Sequence, residues 1–155
     1  LLSNTYVIRQ LPPWQENLKK RQVKSPKVYI SDSGILHTLL DLDTMRALDG
    51  HPKVGASWEG FALEAVVRKL RAREDQCFFW VTHGGAELDL LVVKGNKRRG
   101  FEFKHTQAPQ ITPSMKIAIA DLGLDRLDVV HAGKETFPLA NRIRALAAQD
   151  LLEHI

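Results

Sequence analysis

Asp89, Glu102 and Lys104 form an Asp-x12-Glu-x-Lys spacing across two apolar, strand-like runs joined by a short basic turn. Two carboxylates and an ammonium at that spacing suit divalent-metal-assisted hydrolysis of a phosphodiester. Hard Mg2+ or Mn2+ takes carboxylate and water oxygens, and the bound ion generates a nucleophile and neutralises charge on the phosphoryl oxygens. Lys104 beside the ion would orient the water or help deprotonate it. A Glu-x-Lys on its own is also how exposed charges on one side of an amphipathic strand read, so the assignment needs support from elsewhere in the chain.

The elements that must position these groups are legible around them. In AELDLLVVKGNKRRGFEFKH, residues 87 to 93 and 100 to 105 are predicted strands, and Lys94-Gly95-Asn96-Lys97 supplies the reversal of a β-hairpin. Alternation with period two puts Glu102 and Lys104 on one face and Phe101 and Phe103 on the other. It likewise groups Glu87 with Asp89 against Leu88, Leu90 and Val92. Upstream, residues 57 to 73 are a predicted helix capped by Ser57, with apolar residues at helical spacing and arginines in the last turn. At about 100 degrees per residue, Leu63, Val66 and Leu70 lie within roughly 40 degrees of Glu59. Glu59 is therefore expected in the buried arc, as a carboxylate that needs a partner. Glu64 falls on the polar side, where a solvated pair with Arg68 accounts for it.

Helix with an inward Glu, then strand, then a hairpin bearing Asp and Glu-x-Lys, then helix and strand, resembles the core of PD-(D/E)XK nuclease-like proteins. The segments KSPKVYISDSGILHTLL, GASWEGFALEAVVRKL, AELDLLVV and FEFKH narrow the resemblance. They look like the domain of unknown function found behind AAA-type P-loop ATPase domains in bacterial and archaeal proteins, over about Leu11 to Leu139. The resemblance implies an α/β, restriction-endonuclease-like αβββαβ core with a mixed sheet flanked by helices, over residues 32–155. It adds an N-terminal β-hairpin extension over residues 1–31, with residues 5 to 11 pairing 27 to 31 as the wing of a winged-helix element.

In that scheme Asp89, Glu102 and Lys104 are catalytic, and Mg2+ or Mn2+ is held by Glu59, Asp89, Glu102 and the backbone carbonyl of Phe103. Glu87 and Gln107 flank the site as supporting polar residues. The partners implied are DNA and an AAA-type ATPase domain of the same parent chain. Some relatives with this fold keep such residues yet serve as DNA-binding or assembly modules. A noncatalytic module for the attached ATPase, its acidic cluster tied through Lys104, is the alternative to a metal-dependent DNA hydrolase.

The remaining composition bounds these readings. At 155 residues, 44% of them hydrophobic, the chain can bury one sizeable core. No apolar stretch approaches the roughly 20 residues that span a bilayer, and LLSNTYVIRQ lacks the parts of a signal peptide, so a cytoplasmic domain is expected. The start without Met reads as a start inside a larger protein. The single Cys77 excludes an intrachain disulfide and reads as a buried, inert thiol.

Net charge is +4, with a sequence pI near 9.3. Basic residues cluster at Lys19-Lys20-Arg21 with Lys24 and Lys27, and at Lys94, Lys97, Arg98 and Arg99 on the hairpin tip, the latter expected beside the site as DNA-phosphate contacts. Six histidines show no zinc spacing; His83 and His105 fall near the site residues, where surface polarity accounts for them. No Gly-rich phosphate loop is present, so ATP hydrolysis is not encoded in these residues. Downstream, Thr112-Pro113 opens a helix that stops at Gly123, Leu127 to His131 is a buried strand, and a last helix is expected from Leu139 to Leu152.

Overall fold

A computed structural model describes residues 7–15 and 25–155. The described chain runs β1 (Ile8–Leu11), β2 (Lys27–Ile30), α1 (Ser33–Leu39), α2 (Met45–Asp49), α3 (Val54–Leu70), β3 (Cys77–Val81), β4 (Glu87–Lys94), β5 (Lys97–Lys104), α4 (Pro113–Asp121), β6 (Arg126–His131), β7 (Phe137–Ala140), β8 (Ile143–Ala147) and α5 (Leu151–His154). Strands β3 to β8 make a mixed six-stranded sheet in the order β3-β4-β5-β6-β8-β7, and β1 with β2 makes a separate antiparallel pair. The chain from α3 to β6 thus follows the expected order of helix, three strands, helix and strand. The hairpin of β1 and β2 pairs Ile8 with Ile30 and Leu11 with Lys27. Thr5 and Tyr6 of the expected pairing lie outside the described residues.

One helix covers each face of the sheet. The turns of α3 put Ala62, Leu63, Val66 and Val67 against Leu90, Val92, Phe101, Phe103, Val130 and Leu146. On the other face, α4 puts Met115, Ala118 and Ile119 against Leu88, Leu91, Leu127, Val129 and Ile143. A parallel strand needs a crossover connection, and α4 supplies it between β5 and β6, which pair in parallel from Arg99–Arg126 to Lys104–His131. Thr112 caps α4 by accepting the Met115 N–H at 3.3 Å, with Pro113 in the first turn where its missing donor costs nothing. Leu11 of β1 is fully buried in the α3-side core, which ties the N-terminal hairpin to the main body.

Several expectations are corrected. Helix α3 starts at Val54, not after Ser57; Ser57 is buried within it, its hydroxyl 2.7 Å from His37 Nε2 on α1. A small hydroxyl inside a helix can be held by a side chain from a neighbouring element, and sequence spacing does not distinguish that from a cap. The helix ends at Leu70 because Arg71 turns left-handed, with φ of 48°.

No helix spans Leu139 to Leu152. Residues 137–147 form β7 and β8, and only Leu151–His154 is a short α-helix. Strand β8 lies between β6 and β7, buried on both faces, so Ile143, Leu146 and Ala147 satisfy a helical stripe by coincidence with a doubly covered strand. The face assignment in β4 also changes. Leu88 packs under α4 and Leu90 under α3.

Candidate functional site

The change of face in β4 creates the site. Phe78 pairs with Leu91 and Trp80 with Leu88, so two steps along β3 match three along β4, and one extra residue is accommodated between Leu88 and Leu91. A bulge of this kind re-aims a side chain and interrupts the ladder. The last regular pair between β4 and β5 is Leu90–Phe101. Beyond it the Phe103 N–H donates to Asp89 Oδ2 at 3.1 Å, so the aspartate stands where the two strands part. Glu102 and Lys104 alternate with the core residues Phe101 and Phe103, as expected.

Asp89, Glu102 and Lys104 come together. Lys104 Nζ lies 2.9 Å from Glu102 Oε2 and 3.9 Å from Asp89 Oδ2. Both carboxylates are buried, whereas the lysine is partly exposed. Glu59 completes the group from α3 through a second lysine. Lys27 Nζ is 3.7 Å from Glu59 Oε1 and 3.5 Å from Asp89 Oδ1, so the two acids lie no farther apart than those contacts laid end to end. The Tyr29 hydroxyl donates to Glu59 Oε1 at 2.5 Å.

Glu59 is less enclosed than the helical wheel implied, with its side chain 26% exposed. The greater correction concerns Glu64, which is buried and takes a two-pronged ion pair from Arg9, one arm at 3.0 Å. The flank of α3 that carries Glu64 is covered by the β1–β2 hairpin, so what reads as a polar face is an interface within the chain. The expected Arg68 contact to Glu64 is also present, at 3.8 Å.

The electrostatics follow from burial. Burial, and then the charge of Asp89, push the Glu102 carboxyl up to about 7, against the pull of Lys104. Partial burial works against the charge on Lys104, but Glu102, Asp89 and Glu59 hold it above the ordinary lysine value. Burial and the neighbouring Glu59 raise the Tyr29 hydroxyl well above its ordinary value, which keeps it a hydrogen-bond donor. Glu102 Oε1 is buried and meets no hydrogen-bond donor among the described residues, while the carboxyl lies within hydrogen-bonding reach of Asp89 once a proton is shared between them.

The other sequence-predicted residues are placed differently. Glu87 is exposed, and its charge acts on the Tyr29 hydroxyl. Gln107 is exposed and lines a surface pocket with Lys134 and Phe137, apart from the acidic group. The hairpin tip is not beside the site. Lys97 precedes Glu102 by five residues along β5, roughly 16 Å at the strand rise.

Much of the basic charge at the tip is engaged by the fold. Lys94 donates to the Leu70 carbonyl, Arg98 to the Leu122 carbonyl, and Arg99 pairs with Asp128 at 3.1 Å. Lys97 is exposed. Lys19, Lys20, Arg21 and Lys24 lie outside the described residues. The His105 ring packs on Trp58, with ring centres 5.6 Å apart. Cys77 is buried, and burial pushes its thiol up to about 11, consistent with an inert residue.

Sequence reasoning missed Lys27 and Tyr29 as site residues. Their alternate spacing on β2 places both on one face, but only the packing of the hairpin against α3 shows which acids they meet.

Carboxylate oxygens are the donors that a hard divalent cation prefers. Asp89 and Glu102 offer buried carboxylate oxygens, one of which meets no donor among the described residues, and Glu59 offers a third group at the rim. Among the described residues no three His, Cys, Asp or Glu side chains form a ready ion cage. Instead the ammonium groups of Lys27 and Lys104 lie against the carboxylates and supply the positive charge.

Two known families match parts of the chain. A family described as a domain of unknown function (DUF4143) matches residues 54–151, from the start of α3 to the start of α5. A second domain of unknown function (DUF8612) matches residues 1–46. The uncharacterized proteins Rv2008c of Mycobacterium tuberculosis and Mb2031c of Mycobacterium bovis are each 45% identical over 151 residues, covering 97% of this chain. The chain spans only 34% of the length of those curated relatives. No solved structure matches. Among the described residues no helix is long and apolar enough to cross a membrane.

Proposed function

We propose that this chain, which belongs to the DUF4143 family of domains of unknown function, is a cytoplasmic, divalent-metal-dependent DNA phosphodiester hydrolase domain of PD-(D/E)XK type, attached in its parent protein to an AAA-type ATPase. The observation that carries the reading is the pair of buried carboxylates, Asp89 and Glu102, sharing one lysine while an oxygen of Glu102 meets no donor among the described residues. An unsatisfied buried carboxylate oxygen is costly, and a cation that accepts it relieves that cost.

Asp89, Glu102 and the rim residue Glu59 would hold Mg2+ or Mn2+, with the Phe103 carbonyl as a further oxygen. The ion would lower the pKa of a bound water and neutralise phosphoryl charge. The Phe103 N–H fixes the orientation of the Asp89 carboxylate. Lys104, partly exposed and held by Glu102, would orient the attacking water. Water oxygen would bond to phosphorus as the ester P–O bond breaks, and the departing oxygen would leave with a proton. Nucleic-acid phosphates would approach over the rim, where Lys27 and Lys104 stand partly exposed.

Calorimetric titration of Mn2+ into the wild type and Asp89→Asn tests this reading without a guess about substrate. Binding by the wild type that is lost in the folded variant supports it, and cleavage of linear, branched or single-stranded DNA should then follow the same pattern. Equal cleavage by Asp89→Asn would sink it.

A second reading is favoured by Lys27 and Lys104, which already neutralise the acidic group. In that reading the ion pairs join hairpin, helix and sheet in a noncatalytic module that binds DNA or a partner protein for the ATPase. A folded wild type that binds no Mn2+, alone or with DNA, would favour it.

A further inference from the structure

Lys27 is the first residue of β2, on a two-stranded hairpin that is not part of the main sheet. Its ammonium nevertheless stands between two acids from different elements, Glu59 on α3 and Asp89 on β4. Neither contact is as short as a charge-assisted hydrogen bond, which falls near 2.7–2.9 Å, and the lysine side chain is 32% exposed. A long, flexible side chain at these distances can leave the acids, giving up with them a cation–π contact to the Phe79 ring at 5.6 Å. The hairpin itself is fixed, since Leu11 is fully buried and Arg9 grips Glu64. The hairpin thus anchors the Lys27 side chain over the site.

We propose that Lys27 is a tethered counter-cation that competes with the divalent ion for Glu59 and Asp89, setting metal affinity and swinging outward to a substrate phosphate when the ion binds. The inference rests on the metal-site reading and assigns to the N-terminal hairpin a part in regulating it. The buried Glu102 Oε1, which meets no hydrogen-bond donor among the described residues, is the independent mark that the acids are arranged for a ligand beyond the lysines. Without an ion, Lys27 keeps Glu59 and Asp89 from repelling one another and holds both near where ligands are needed. With an ion in place, the same ammonium would face like charge, which drives it out toward solvent and an incoming phosphate oxygen. Tyr29 stays behind, its hydroxyl holding Glu59 Oε1 at 2.5 Å and preserving the position of that carboxylate through the exchange.

Mn2+ titration of Lys27→Met, Lys27→Arg and wild type by calorimetry, with the melting temperature of each recorded first, tests the inference. Lys116→Met removes the same charge from an exposed position on α4 and controls for long-range electrostatics. Two modest ion pairs lost to the competitor correspond to a gain in Mn2+ affinity of about threefold to tenfold for Lys27→Met. Little change is expected for Lys27→Arg and Lys116→Met. Binding by Lys27→Met where the wild type binds too weakly to detect would also support competition.

Equal or weaker binding by a folded Lys27→Met, beside measurable wild-type binding that Asp89→Asn loses, would overturn the role of Lys27 and leave the metal site standing. Absence of binding in both wild type and Lys27→Met would overturn the role of Lys27 and count against the metal site as well. If Lys27→Met does not fold, Lys27→Gln keeps a polar end and is read in the same way.

Discussion

Asp89 accepts the backbone N–H of Phe103 across the fork between β4 and β5, at 3.1 Å. A side-chain carboxylate thus takes the place of a ladder carbonyl beyond Leu90–Phe101, the last regular pair of β4 with β5. That bond fixes the carboxylate beside Glu102 and under Lys104. It also couples the acid to the sheet, so a change at residue 89 acts on strand pairing as well as on charge. Asparagine keeps the acceptor oxygen, which is why Asp89→Asn separates chemistry from folding better than alanine does.

Glu102 is expected to take up a proton with a value near 7 in the metal-free protein. Burial, then repulsion by Asp89, raises the folded value of Glu102 above its ordinary 4.5. Sign follows from linkage: between 4.5 and about 7 the folded state holds a proton that the unfolded chain has released. This contribution to stability is present below that window and is lost as pH rises through it. Urea denaturation from pH 5 to 8 should show the decline in wild type and a flatter profile in Glu102→Gln. Carbon-13 NMR of the carboxyl groups gives the titration directly. Because the ion must displace that proton, Mn2+ affinity should weaken as pH falls below about 7.

Lys104→Ala is expected to lower metal-free stability by about 2 kcal/mol, roughly 4–8 °C in Tm for a chain of this length. The alanine leaves Glu102 and Asp89 buried without the ammonium they share. The estimate is kept below the cost of breaking a fully buried pair because the lysine is 41% exposed. Mn2+ should restore part of the loss by supplying the missing positive charge. A thermal melt with and without Mn2+ measures both effects, and an unchanged Tm in the metal-free variant would contradict the coupling described.

Arg9→Met is expected to cost about 3 kcal/mol, more than loss of an ordinary surface pair, because it leaves the buried carboxylate of Glu64 with only the longer contact to the exposed Arg68. The double variant Arg9→Met/Glu64→Leu should recover most of that stability by replacing the pair with apolar contact. A urea denaturation cycle over wild type, both single variants and the double gives the coupling between positions separated by 55 residues. Independent costs that simply add would show that the pair does not hold the hairpin.

The Arg9–Glu64 contact also marks the limit of what the sequence discloses. Local signals were sound where one element decides the outcome: Thr112-Pro113 does start α4, and Gly95-Asn96 does join β4 to β5. Gly95 has φ of 62° at the first central position, the conformation that a two-residue hairpin loop demands. The clustering of Asp89, Glu102 and Lys104 was legible for the same reason, since both strands belong to one hairpin. Glu64 was misjudged because its partner comes from a distant strand. The bulge at Asp89 was invisible because it appears only in the register of β4 against β3. Ile143, Leu146 and Ala147 misled because a strand buried on both faces and a helix stripe can carry the same apolar spacing.

The strongest expected loss lies away from the acidic site. Asp128 is 1% exposed and takes three guanidinium groups: Arg99 and Arg126 at 3.1 Å on one oxygen, Arg144 at 2.9 Å on the other. Burial, and then repulsion from Arg126, already depress the pKa of Arg99, so the carboxylate is what makes this gathering of cations tolerable. Asp128→Asn removes the negative charge and leaves the shape, and should cost about 3–5 kcal/mol. Arg126→Met, on the most exposed of the three arginines, should cost less than about 1 kcal/mol, since Arg99 and Arg144 still satisfy both oxygens. Added phosphate or sulfate should recover more stability in Asp128→Asn than in wild type, because an anion can take the vacated electrostatic role. Urea midpoints in chloride and in phosphate at matched ionic strength decide the matter. Equal responses of the two proteins to phosphate would show that mutual repulsion of the arginines is not the source of the loss.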